Sequence, residues 1–253
     1  MLELKDLSFT VTVDGKEKEI IKHVGLHVPK SSLVVITGPN GGGKSTLAKL
    51  IAGIERQTGG SIIFNGEDIS DKSVTERAKL GIGFAFQQPV RFKGLQVLDL
   101  LRIAAGRRIS TADACEYLSA VGLCARDYIG REINASLSGG ELKRIEIATV
   151  LARNPLLSIF DEPEAGIDLW SFQNLIETFR RMRRRVKDSS ILIISHQERI
   201  LDIADEIIVI KDGMIDKEGK REEVMPCILG TPSVLGTCIA VNNGKGGEDD
   251  AKA

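Results

Sequence analysis

Excess charge of either sign is missing from this chain of 253 residues: 34 lysines and arginines stand against 35 aspartates and glutamates, a formal net charge of -1. Such a balance creates no long-range field to attract nucleic acid or an anionic membrane. Long apolar runs are missing too. Residues 33–36 and 191–194 fall far below the roughly 20 residues that cross a bilayer, so no span is expected. The four cysteines, Cys115, Cys124, Cys227 and Cys238, contain no C-x-x-C pair and are too few for a disulfide framework, which predicts reduced thiols. Residues 1–9 alternate acidic, basic and apolar types where a leader would be basic and then apolar, so a cytoplasmic chain is expected. What is present is 42% hydrophobic and 27% charged residues, the composition of a globular protein with a sizeable core.

The length suits one large α/β domain with an insertion and is too short for two nucleotide-binding units. Over residues 2–28 the apolar positions alternate (Leu2, Leu4, Leu7, Phe9, Val11, Val13) around a turn at Asp14-Gly15, which predicts antiparallel strands at an edge. The apolar run 33–37 enters a glycine cluster, and Leu47, Leu50, Ile51 and Ile54 then take helical spacing. Runs at 156–160 and 191–195 alternate with helical stretches at 141–152 and 171–186, the pattern of a buried parallel sheet flanked by helices. From 95 to 133 the apolar spacing becomes helical throughout, predicting a helical insertion. Residues 242–253 hold no core formers, and a disordered tail is expected there.

Residues 38–45, Gly38-Pro39-Asn40-Gly41-Gly42-Gly43-Lys44-Ser45, match G-x-x-x-x-G-K-[ST] between a predicted strand and a predicted helix. Glycines let a backbone bend around an anion, a helix N-terminus presents its N–H groups to phosphates, and Lys44 is placed for the β- and γ-phosphates. The Ser45 hydroxyl is a hard ligand suited to Mg²⁺. Asp161 and Glu162 end an apolar run and point in different directions, which separates two roles: Asp161 holding Mg²⁺ through water, Glu162 orienting or deprotonating the attacking water. Leu137-Ser138-Gly139-Gly140-Glu141 heads a later helix and makes a second anion-ready N-terminus, which the same nucleotide cannot also use.

With these residues in order the sequence resembles the ATP-binding-cassette (ABC) ATPases, whose LSGGQ signature is matched by residues 137–140 with Glu141 in the last place. Gln87 in the Q-loop, residues 165–168 ending in Asp168 in the D-loop, and the switch histidine His196 extend the resemblance over roughly residues 2–220. It implies a RecA-like P-loop NTPase core with a mostly parallel sheet, an antiparallel β edge subdomain and an inserted α-helical subdomain. The core would take residues 1–90 and 140–225, the helical signature subdomain 91–139, and a C-terminal segment 226–253. ATP and Mg²⁺ are the implied ligands, held by residues 38–46, Thr46 included, with Ser138, Gly139, Gly140 and Asp168 reaching the nucleotide of a second copy in an ATP-dependent homodimer. Gln87 would touch Mg²⁺ and sense the γ-phosphate, and His196 would donate to it.

Within the family, residues 83–90 with Gly94, residues 139–144, and residues 199–202 resemble the SufC branch, the soluble ABC ATPases of iron-sulfur cluster assembly. The same branch lacks the adenine-stacking aromatic that transport ATPases carry where Val11 stands here. That resemblance implies a SufB- or SufD-type scaffold as partner. The run 161–168, with Pro163, is closer to transporters, and the alternative is an ATP-binding subunit working with a separate membrane subunit. Cys227 and Cys238 show no ligand spacing and are expected to be buried or idle. The basic run 180–187 is read as the solvated face of a helix whose apolar positions are Phe179, Met182 and Val186. Trp170 and Phe172 are read as core or subunit contacts.

Overall fold

The computed structural model describes residues 1–134, 136–185 and 188–230. Strands β1 (Leu2–Val13) and β2 (Lys16–Val28) form the expected antiparallel hairpin. Its two turn residues, Asp14 and Gly15, both have positive φ (52° and 73°), as a two-residue hairpin whose twist matches its strands requires. β4 (Gly59–Phe64) pairs with β1, and β5 (Glu67–Asp68) with β4, completing an antiparallel sheet of order β2-β1-β4-β5.

The central sheet contains β3 (Leu33–Thr37), β6 (Ile82–Ala85), β7 (Leu157–Asp161), β8 (Ser190–Ile194), β9 (Glu206–Lys211) and β10 (Met214–Lys220), in the order β10-β9-β3-β8-β7-β6. All neighbours are parallel except the β9–β10 edge pair. Alternate residues of each strand enter different cores. Leu33, Val35, Phe160, Ile191 and Ile193 face helices α3 (Val97–Ala105), α4 (Thr111–Ala120), α6 (Gly139–Arg153) and α7 (Leu169–Arg185). Val34, Ile36, Ile159, Leu192 and Ile194 face α1 (Lys44–Ala52) and the antiparallel sheet. A strand buried on both sides must be apolar at every position, which is why these segments read as unbroken runs. The remaining helices are α2 (Val74–Lys79), the single turns α5 (Ala125–Tyr128) and α8 (Glu198–Leu201), and α9 (Arg221–Leu229), anchored by buried Val224.

Two expectations are adjusted. Helix α6 begins at Gly139 and α7 at Leu169, each two residues before the apolar spacing suggested, because a capping residue starts a helix ahead of its hydrophobic stripe. Cys115 and Cys124 are free, but Cys227 is disulfide-bonded, which corrects the expectation of four reduced thiols; composition counts cysteines without placing them. Phe172 is buried, whereas Trp170 stands in solvent. The expectations for Cys238 and for the tail 242–253, and the end of the basic run at Val186 and Lys187, lie outside the described residues.

One buried charge ties the layers together. Arg77 on α2 is 1% exposed, and its guanidinium donates to the carbonyls of Leu50 (2.7 Å) and Ile51 (3.1 Å) at the end of α1, and to those of Ser70 (2.9 Å) and Lys72 (3.0 Å). These are helix-end and loop carbonyls without enough helical partners of their own. Arg77→Met should cost about 3 kcal/mol, since several buried acceptors lose their donor at once. Urea unfolding measures this, and an unchanged midpoint would show that the carbonyls find other donors.

Candidate active site

Residues 38–46, Gln87, Asp161, Glu162 and His196 collect at the carboxyl ends of β3, β8, β7 and β6, neighbouring parallel strands that deliver their following loops side by side. From Thr37 the chain crosses residues 38–43 to reach α1. Gly38 has φ +132°, and a Cβ there would stand 2.1 Å from the Ile210 carbonyl oxygen, so only glycine fits. Gly43 caps α1 without a side chain, and the first turn of α1 contains no acid. The positive end of that helix is therefore left for an anion. Pro39, Asn40 and Gly41 are exposed at the rim, Gly42 is buried, and Thr46 is half-buried one residue past Ser45.

Lys44 is buried and folds back along the loop, donating to the carbonyls of Gly38 (2.8 Å) and Pro39 (2.9 Å). Burial lowers its pKa from the usual lysine value, against the pull of Glu162 and Asp161. Asp161 ends β7 at 1% exposure and accepts a hydrogen bond from Ser45 Oγ at 3.0 Å. Burial pushes the Asp161 carboxyl up, opposed by that hydrogen bond. A dry carboxylate in contact with a hydroxyl is a hard-oxygen donor set that fits Mg²⁺.

Glu162, the next residue, has φ 44°, a left-handed backbone that costs a non-glycine residue about 1–2 kcal/mol. Its N–H donates to the Ile194 carbonyl (3.0 Å), and its carboxylate accepts from Gln87 Nε2 at 2.7 Å. Gln87 is thus turned toward Glu162, with no hydrogen bond to Ser45 or Asp161. His196, past the end of β8, is exposed, but the loop carrying it is pinned. Buried Ser195 donates to Glu164 Oε1 (2.6 Å) and accepts from the Gln197 N–H (3.0 Å).

The second anion-ready helix end lies elsewhere. Ser138 caps α6 by accepting from the Glu141 N–H (3.2 Å), and the Glu141 carboxylate accepts from the Ser138 N–H (2.6 Å) in a capping box. The Tyr128 hydroxyl also donates to Glu141, and this bond, followed by those from Ser138, holds Glu141 down at about 2. Gly139 and Gly140 open the helix, with the Gly166 carbonyl oxygen 2.5 Å from where a Gly140 side chain would begin. Asp168 Oδ1 accepts from the N–H groups of Trp170 (3.1 Å) and Ser171 (3.0 Å) at the start of α7. Among the described residues, no hydrogen bond or ion pair joins Ser138, Gly139, Gly140 or Asp168 to residues 38–45.

Sequence reasoning missed a clamp. Lys143 and Glu146 lie on the buried face of α6; Lys143 is 0% exposed. Glu146 Oε1 accepts from the Phe86 N–H (2.9 Å), and Lys143 Nζ donates to the Phe86 carbonyl and to that of Asp161 (3.1 Å). Burial lowers the Lys143 pKa and raises that of Glu146, each opposed by the other's charge. Both backbone groups of the residue before Gln87 are therefore fixed from one helix. The available signal was the spacing, which puts two charges on the same face as Leu142 and Ile145.

By class the protein is a P-loop nucleotide hydrolase: an α/β fold that places a glycine loop, a serine–aspartate pair and a strained glutamate along one sheet edge. Residues 21–165 match the family described as ABC transporter, and the chain belongs to that family. It is 40% identical to an uncharacterized ABC transporter ATP-binding protein of Methanocaldococcus jannaschii over 88% of this chain and 90% of that one. It is 34% identical to a sulfate/thiosulfate import ATP-binding protein of Bacillus cereus, over 85% of this chain and 62% of that longer one. Its structure is similar, at TM-score 0.79 and 25% identity, to a dimeric post-hydrolysis ATP-binding cassette bound to ADP and Pi, covering 87% of this chain and 99% of that one. The protein is an ATP-hydrolysing enzyme of the cassette type. Among the described residues no helix is long and apolar enough to cross a membrane.

Lys143→Met should free the Phe86 carbonyl from its clamp and lower kcat for ATP hydrolysis about tenfold, more than it changes KM; equal rates would confine Lys143 to stability. Glu141, with a folded pKa depressed from 4.5 to about 2, contributes stability that is complete above its unfolded value and is lost as pH falls through about 2. Glu141→Gln should therefore be less stable than the parent at pH 6 and converge with it as the solution is acidified toward pH 2, as read by thermal unfolding.

Proposed function

We propose that this chain is the ATP-binding subunit of an ABC transporter, working as a head-to-tail pair that hydrolyses ATP and powers solute passage through a separate membrane subunit. The observation that carries the pair is the separation of the two helix N-termini: α1 with its glycine loop in one place, α6 with Ser138 in another, unjoined within one chain. A γ-phosphate needs donors on several sides and exclusion of water, which the loop alone does not supply. The names of the relatives, an ABC transporter ATP-binding protein and a sulfate/thiosulfate import ATP-binding protein, support the transport reading.

In this reading the core spans residues 1–90 and 140–225, and the helices of residues 91–139 form the lobe that carries the signature. Residues 38–46 hold the triphosphate of ATP. Lys44 leaves the carbonyls of Gly38 and Pro39 for the β- and γ-phosphates, so binding exchanges two internal hydrogen bonds for charge-assisted ones. Ser45 and Gln87, with Asp161 through water, would hold Mg²⁺, which would supply neutralisation of phosphate charge. Gln87 releases Glu162 as the site fills, and the freed carboxylate takes a proton from the water whose oxygen bonds to the γ-phosphorus as the bond from that phosphorus to the β-phosphate's bridging oxygen breaks and ADP leaves. His196 donates to the γ-phosphate, and Ser138, Gly139, Gly140 and Asp168 close on it from the second copy. Closure follows binding because only the closed pair makes these contacts.

The SufC-like reading, with a SufB- or SufD-type scaffold as partner, rests on the local runs at 83–90 and 139–144 and on Val11; the relatives' names favour transport over it. Phe9, two residues before Val11 on β1, packs against the core. Co-purification separates the two readings: a multi-span membrane protein supports transport, and a soluble iron-bearing scaffold supports assembly.

Glu162→Gln should bind ATP, lower turnover at least ~100-fold and accumulate as a closed dimer in light scattering; full turnover would remove Glu162 from the base role. Lys44→Ala should abolish tight ATP binding, and unchanged affinity in a nucleotide titration would contradict the loop assignment.

A further inference from the structure

The chain leaving β7 carries three acids within four residues, Asp161, Glu162 and Glu164, and the site described above uses two of them. A glutamate in a loop is ordinarily solvated. Glu164 is instead turned into the fold: its Oε2 is buried with no hydrogen-bond partner among the described residues, and its Oε1 accepts from the Ser195 hydroxyl at 2.6 Å. Burial pushes the Glu164 carboxyl up, while the Ser195 hydrogen bond and, more weakly, the charge of His196 pull it down. A dry, unpaired carboxylate oxygen costs on the order of 1–3 kcal/mol, and a cost of that size beside reacting groups points to a use.

What the contact fixes is the loop after β8. Ser195 is 0% exposed, and its N–H donates to the Ile36 carbonyl (3.1 Å). Its hydroxyl has one proton to give and two lone pairs to offer. A carboxylate can only accept, so Glu164 draws that proton to itself and leaves a lone pair for the Gln197 N–H, which donates at 3.0 Å. These bonds bracket His196, the residue between Ser195 and Gln197. The imidazole makes no hydrogen bond of its own among the described residues, so its position is set by the backbone on either side. Glu164 is steadied in turn: the Ala165 N–H donates to the Glu162 carbonyl and the Ile167 N–H to that of Glu164, both at 3.1 Å. The bond from the Glu162 N–H to the Ile194 carbonyl (3.0 Å) joins the same two loops through their backbones.

We propose that Glu164 is a positioning residue for ATP hydrolysis, acting through Ser195 on the loop that presents His196 to the γ-phosphate. The inference rests on the role proposed for His196 and adds to it the group that fixes where that ring stands. A donor contributes most when it is in place before charge develops, because ordering it during the reaction gives back part of the gain. With its proton committed to Glu164, the Ser195 hydroxyl keeps one orientation, and the turn at residues 195–197 is confined to one arrangement.

Steady-state kinetics on the full chain tests this. Glu164→Met keeps the length of the side chain and removes the acceptor; kcat should fall about tenfold while ATP affinity stays within about twofold. Ser195→Ala should show the same fall, and it carries the test if the methionine variant folds poorly. Glu164→Gln, whose amide oxygen can still accept from Ser195, should recover kcat to within about threefold of the parent. Added to His196→Ala, Glu164→Met should cost less than about twofold more, because its effect travels through the ring that is already gone. Unchanged kcat in Glu164→Met and Ser195→Ala, a glutamine variant as slow as the methionine one, or a full tenfold loss on top of His196→Ala overturns the positioning role and leaves that of His196 standing. Full turnover in His196→Ala itself overturns the role of His196, and the inference with it.

Discussion

Lys44, Asp161 and Lys143 are charged side chains buried at one edge of the central sheet, and the neighbouring structure is arranged so that each has partners. A buried charge without a partner costs several kcal/mol, so the position of every group around these three is constrained. Lys44 is held by two loop carbonyls, Asp161 by Ser45, and Lys143 by backbone oxygens and the charge of Glu146. Burial works against ionisation in all three: it lowers the pKa of the lysines and raises that of the aspartate. In the proposed reading a nucleotide with its metal would bring opposite charges to the first two. Lys143 differs, because its partners are all supplied by the fold.

The helix ends divide the remaining work. Helix α1 begins with a glycine that offers nothing to its own N–H groups, whereas α6 begins with a serine and glutamate that cap one another. The first end is left open and the second is stabilised on its own. An uncapped end leaves its N–H groups open to an anion, while a self-capped end is satisfied without one. The clamp from α6 onto Phe86 then means that any displacement of α6 bears on the loop that carries Gln87.

Much of this was legible in the sequence, and what was illegible has common physical causes. Strands β3, β7 and β8 were readable because burial on both faces leaves an unbroken apolar run, and the glycine loop because tight turning around an anion admits few residue types. The short strands β4, β5 and β6 and the edge pair β9–β10 mix glycine, charge and apolar residues, and their pairing is decided by distant segments. Arg77, Lys143, Glu146 and Glu164 were hidden for another reason. Charged residues are ordinarily solvated, and only the tertiary structure reveals the carbonyls, the Phe86 N–H and the Ser195 hydroxyl that these four meet. Trp170 was ambiguous between core and contact, since aromatic residues on a helix look alike until the neighbouring layer is in place.

The left-handed backbone at Glu162 carries an implication for how such a protein responds to selection. Glycine would relax that conformation, so with Glu162 in the role proposed above, position 162 is a place where chemistry and durability pull in opposite directions in a screen rewarding heat resistance alone. Thermostable variants gathered without regard to turnover would drift there toward inert proteins that fold well and still grip ATP. An enzyme hardened for use outside the cell would need its extra stability from elsewhere in the fold, with that one uncomfortable residue left as it is.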